Sequence, residues 1–94
     1  MRDDPAFANA TISGHARSEM TRRGISEETV REVLRGPGRV ETARLGRVIL
    51  TSLRYDESRG RDYVVRLVVD VGVDPPVVVT AYRSSKLRKY WSST

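Results

Sequence analysis

Four side chains in this 94-residue sequence have the chemistry to cleave an RNA backbone together: His15, Arg66, Tyr82 and Lys86. Metal-free cleavage needs a base to activate the 2′-hydroxyl, cations to offset charge on the pentacoordinate phosphorus, and a group to protonate the leaving 5′-oxygen. His15 is the one residue whose unperturbed pKa lies near neutrality, and a place near a helix start favours neutral imidazole, a base. The competing reading is a solvated histidine, with Glu19 one turn on as a surface carboxylate paired to Arg22 or Arg23. Arg66 interrupts a valine-rich run, where a charge must be paired, solvated or in contact with an anion. Tyr82 can stack on a base or donate its hydroxyl to a phosphate and Thr80 can hold either, the alternative being that both only finish the outer face of the sheet. Lys86 and Arg83 lie where the strand around Val77–Arg83 passes into the basic tail, as phosphate contacts or as ordinary solubilising charges.

These residues act together only if the elements between them bring them to one place. Ser13–Arg23 reads as a helix with Ser13 as N-cap, Ala16 and Met20 on its inner face and Gly24 as its stop. A second helix starts at the N-cap Ser26, carries Glu27 and Glu28 at its positive end, buries Val30, Val33 and Leu34, and stops at Gly36-Pro37-Gly38. From Arg39 the period changes to two. Arg39–Arg44 and Arg47–Tyr55 read as a hairpin around Gly46, Asp56–Arg61 as a polar turn, and Asp62–Val71 as a strand. That strand places Tyr63, Val65, Leu67, Val69 and Val71 on a core face and Val64, Arg66, Val68 and Asp70 on the other. Regular alternation in the next strand puts Val77, Val79 and Ala81 on the core face and Val78, Thr80 and Tyr82 opposite. Consecutive antiparallel pairing brings Arg66 close to Thr80 and Tyr82 on an open face. Ser85–Trp91 reads as a last helical turn, with Leu87, Tyr90 and Trp91 returning to the body and Lys86, Arg88 and Lys89 exposed.

The expected fold is therefore α+β: two N-terminal helices packed on a four-stranded antiparallel sheet, with a short C-terminal helix. Residues 1–94 form a single domain, with residues 1–10 as a flexible lead.

Seventeen Lys and Arg against twelve Asp and Glu give a formal charge of +5, mostly arginine in excess. Planar guanidinium groups bind oxyanions bidentately and stack on bases, so nucleic acid leads as partner class, with an acidic protein as the other reading. The absence of cysteine excludes disulfides and thiolate metal sites, and a single histidine cannot build a His-rich one, so no cofactor or metal is expected. The first ten residues lack an apolar segment of signal-peptide length, and no window approaches a membrane span. We expect a cytoplasmic protein with no membrane partner; the alternative is a fragment of a longer secreted chain. No phosphate-binding Gly-rich loop, HExxH motif or paired-carboxylate spacing points to another enzyme class.

The run His15-Ala16-Arg17…Met20…Arg22-Arg23-Gly24-Ile25-Ser26, the helix end Leu34…Pro37, the strand around Arg66–Val69 and Val78-Val79-Thr80-Ala81-Tyr82…Ser85-Lys86 resemble the bacterial domain-of-unknown-function family 4258. In layout that family is similar to the BrnT and RelE-like toxin ribonucleases. The resemblance implies a small α+β ribonuclease-like toxin encoded beside an antitoxin that covers its basic face. By position it marks His15, Arg23 at the helix joint, Arg66 in the sheet, the strand-end pair Thr80 and Tyr82, and Lys86. The RNA-binding candidates are then Arg22, Arg23, Thr80, Arg83, Arg88 and Lys89. Two functions follow: a metal-independent endoribonuclease toxin acting on single-stranded or ribosome-bound RNA, or a non-catalytic module that binds nucleic acid or a protein through the same surface.

Overall fold

The computed structural model describes residues 6–91. Its elements run β1 (Thr11–Ile12), α1 (Gly14–Arg23), α2 (Glu27–Arg35), β2 (Arg39–Thr42), β3 (Arg47–Asp56), β4 (Arg61–Asp70), β5 (Val77–Ser84) and α3 (Leu87–Tyr90). The class is α+β, as the change of period implies. The sheet, however, has five strands in the order β1-β5-β4-β3-β2, and it is mixed. Strands β2 to β5 pair antiparallel in succession, whereas β1 lies parallel to β5. A two-residue strand carries no alternation that a sequence reading could detect. Its place is fixed by backbone groups: Thr11 N–H donates to the Pro76 carbonyl at 2.8 Å and Ser13 N–H to that of Val78 at 3.0 Å.

The end of the expected flexible lead is docked as well. Ala10 is buried, Phe7 packs against the core, and Arg31 Nη1 donates to the Ala10 carbonyl at 2.6 Å. Residues 1–5 lie outside the described residues.

Both long helices begin and end as their caps dictate. The Ser13 hydroxyl accepts from Ala16 N–H and that of Ser26 from Thr29 N–H, each at 3.1 Å. Gly24 closes α1 in the left-handed region at φ 70°, a conformation that costs a side-chain-bearing residue free energy. Ala16, Met20, Val30, Val33 and Leu34 then meet Leu50, Val65, Leu67, Val69, Val78 and Ala81 of the sheet.

In β4 the expected face is the core face, although Tyr63 is only half-buried and Val71, just past the end of the strand, is exposed. In β5 the register departs from regular alternation. Val68 pairs with Thr80 but Val69 pairs with Val78, so Val79 is the extra residue of a bulge. A bulge shifts the alternation by one residue, which puts Val78, rather than Val77 and Val79, beneath the helices. Thr80 and Tyr82 stay on the face of Arg66. That face is not open: Val64 is fully buried, and α3 packs against β4.

Candidate functional site

Register and the short C-terminal helix assemble the first group of polar side chains. Tyr82 lies directly across from Arg66, and Thr51 of β3 lies across from it on the other side. Arg66 is thereby boxed in by neighbours on both strands, and α3 brings Tyr90 over it. The guanidinium carbon sits 4.5 Å from the Tyr90 ring centroid and 5.8 Å from that of Tyr82, while the two rings meet edge to face at 6.0 Å. Such contacts are favourable for a cation that has given up part of its hydration. The acidic neighbour on this face is Glu41, with an oxygen 3.8 Å from Nη2 of Arg66, whose side chain is 13% exposed. Neither Nε of Arg66 nor Oγ1 of Thr51, both buried, finds a hydrogen-bond partner among the described residues. Nearby, Arg39 stacks on Trp91 at 4.5 Å.

The two tyrosines differ in acidity. Burial pushes the Tyr82 phenol above its ordinary range, partly offset by the Arg66 charge. A hydrogen-bonding contact with Lys89 pulls the Tyr90 phenol below it. Tyr82 is thus the weaker acid of the two. Sequence reading used Tyr90 only as a packing residue. Its contact with Arg66 depends on the path of the chain after Ser84, which no local pattern records.

His15 belongs to the opposite side of the sheet. It lies on α1, which packs over the core face, and its Nε2 is 3.4 Å from Glu19 while its side chain is 70% exposed. Glu19, expected at the surface, is buried. Its Oε1 accepts the backbone N–H of Ala81 at 3.0 Å, and Arg22 approaches its other oxygen at 4.0 Å. The sheet therefore separates His15 from Arg66 and Tyr82, and the expected four-residue constellation is not assembled. Lys86 is exposed at the start of α3, with its backbone N–H bonded to Ser84 Oγ. Arg88 and Lys89 are exposed on α3, and Thr80 is half-buried on the face of Arg66.

Arg23 and Arg83 come together elsewhere, in a cleft of about 510 Å³ at the end of the sheet where the β3–β4 turn, the end of β5 and the joint after α1 meet. Four arginines line it, Arg23, Arg59, Arg61 and Arg83, along with Asp56, Tyr63 and the serines Ser58, Ser84 and Ser85. Arg83 shares the face of Val65, so it points to the helix side. Its guanidinium lies 3.8 Å from the Tyr63 ring centroid and donates to Asp56 Oδ2 at 3.0 Å. Asp56 is held below the usual carboxylate range by its hydrogen bond from Ser58, with Arg83 and two backbone N–H groups adding to it. Arg59 and Arg61 fall in what reads from sequence as a plain polar turn, so the cleft was not foreseeable.

The family described as Domain of unknown function (DUF4258) matches residues 12–83. The chain belongs to that family. The DUF4258 match begins within β1 and ends one residue short of the end of β5, so it takes in Arg66, Tyr82 and all four cleft arginines and leaves out Lys86 and α3. No curated protein and no solved structure matches the chain closely enough to count as similar. No helix among the described residues is long and apolar enough to cross a membrane.

Proposed function

We propose that this DUF4258 chain is a metal-independent endoribonuclease of the toxin kind, which holds single-stranded or ribosome-bound RNA against the sheet face of Arg66. The observation that carries the reading is Arg66 itself: a cation set against two phenol-bearing rings, with the Glu41 carboxylate 3.8 Å away. In this reading Arg66 faces the phosphate, the phenolate form of Tyr90, which Lys89 favours, accepts the proton of the 2′-hydroxyl, and the Tyr82 phenol gives its proton to the leaving 5′-oxygen. The products are a 2′,3′-cyclic phosphate and a 5′-hydroxyl. Arg39, Lys86, Arg88 and Lys89 supply positive charge around the same face, and Tyr82, Tyr90 and Trp91 offer surfaces for bases to stack on. The layout read from the sequence, helices followed by an antiparallel sheet as expected of BrnT and RelE-like toxins, motivates this choice of chemistry. It also supports an antitoxin as partner, covering the basic surface, and a cytoplasmic site of action.

Purified protein, freed of any bound antitoxin and incubated with total RNA in EDTA, tests the proposal. Fragments ending in 2′,3′-cyclic phosphate, lost in Arg66→Ala and reduced in Tyr82→Phe, support it. Intact RNA bound with salt-sensitive affinity points instead to a non-catalytic binding module.

A further inference from the structure

We infer that the arginine cleft is a separate binding site for a phosphate monoester carried on a nucleotide-sized body. The site lies on the helix side of the sheet, away from the Arg66 face, and the inference does not rest on the ribonuclease reading. Four guanidinium groups against one carboxylate leave the cleft with a formal excess of three positive charges. Asp56 engages Arg83 and lies 3.8 Å from Arg59. Arg23 and Arg61, both exposed, form no ion pair with any described residue. Two cations thus line one concavity without an ion pair among the described residues, beside a third whose guanidinium lies 3.8 Å from the Tyr63 ring centroid.

Planar N–H forks match the oxygens of a phosphate, and a dianionic terminal group satisfies two guanidinium groups where a diester offers a single charge. The hydroxyls of Ser84 and Ser85 at the walls suit the same anion, while that of Ser58 is given to Asp56. A volume of about 510 Å³ is much larger than a bare phosphate needs and falls in the range of small-molecule pockets. The terminal phosphate can belong to a free mononucleotide or to the 5′ end of an RNA.

Calorimetric titration with AMP and adenosine tests the inference. AMP should bind saturably and at least about tenfold more tightly than adenosine, and inorganic phosphate should compete. Arg23→Gln and Arg61→Gln, at exposed positions without ion pairs, should keep the fold and each weaken AMP binding by about tenfold or more. Arg44→Gln, in the β2–β3 turn at the opposite end of the sheet, should leave it unchanged. Equal binding of AMP and adenosine, absence of AMP binding, or an equal loss in Arg44→Gln would overturn the assignment. An oligonucleotide with a 5′-phosphate that binds more tightly than both AMP and its 5′-hydroxyl counterpart assigns the RNA end; otherwise the free nucleotide is the ligand. Because AMP binding is read without RNA turnover, inactivity toward total RNA leaves this site standing.

Discussion

Arg66 and Glu19 are the two charges that the fold covers most deliberately, one on each face of the sheet. Arg66 has traded water for aromatic rings and a carboxylate at 3.8 Å, and its Nε has no hydrogen-bond partner among the described residues. Arg66→Ala should weaken RNA binding and lower the slope of log affinity against log salt by about one, measured by fluorescence anisotropy across a salt series. An unchanged slope would place the RNA elsewhere. Glu19 has a structural duty, because its carboxylate takes a backbone N–H of β5. Glu19→Ala leaves that buried donor without a partner and should destabilise the fold by roughly 1–3 kcal/mol in urea titrations, whereas Glu19→Gln keeps an acceptor and should lose less. For His15, largely exposed and across the sheet from Arg66, cleavage by His15→Ala should stay within a few-fold of wild type. A loss of roughly a hundredfold or more, the range expected when a general acid or base is removed, would move the chemistry to the α1 side. The types of these residues were legible in the sequence, but the burial of Glu19 was not. Its spacing from His15 and Arg22 equally fits a solvated helix stripe, and only the position of the β5 amide distinguishes the two.

At the scale of elements, helix caps and strand periods were readable because each is a local property. Ser13, Gly24 and Ser26 mark their boundaries by capping chemistry, and Leu67 faces the core as alternation requires. Leu67→Ala, at a fully buried site, should cost roughly 2–5 kcal/mol in chemical denaturation. The bulge at Val79 escaped detection because Val77, Val78 and Val79 are chemically identical, so no residue type marks the slip. The parallel strand β1 escaped because it is two residues long and joins a partner at the far end of the chain. The contact between Gly38 and α3 is also non-local. A Cβ on Gly38 would come within 2.7 Å of Trp91 Cη2 and 3.1 Å of the Thr51 carbonyl. Gly38→Ala should therefore push the single tryptophan of the chain off the sheet, seen as a red shift of its fluorescence with little change in far-ultraviolet circular dichroism. An unshifted spectrum would show that the turn yields instead.

For the molecule as a whole, acid should loosen the end that holds the arginine cleft. The folded-state carboxyl of Asp56 titrates below its ordinary value, chiefly through Ser58. Its contribution is present in full above the unfolded-state value and is lost as pH falls through the folded-state one. The stability gap between wild type and Asp56→Asn, measured by thermal melts across a pH series, should shrink as pH drops below the ordinary carboxylate range; a gap that stays constant would mean Asp56 acts through packing alone. The burial of Glu19 has another consequence, which concerns other copies of the chain. An uncovered strand edge invites edge-to-edge association and, under stress, fibrillar aggregation. Along β5, β1 occupies the first part of the border strand and the Glu19 carboxylate occupies the Ala81 N–H beyond it. A pleated neighbour from another molecule finds that donor already taken. The residue that takes a backbone donor from within thus leaves this border one donor fewer for self-templated growth of the sheet.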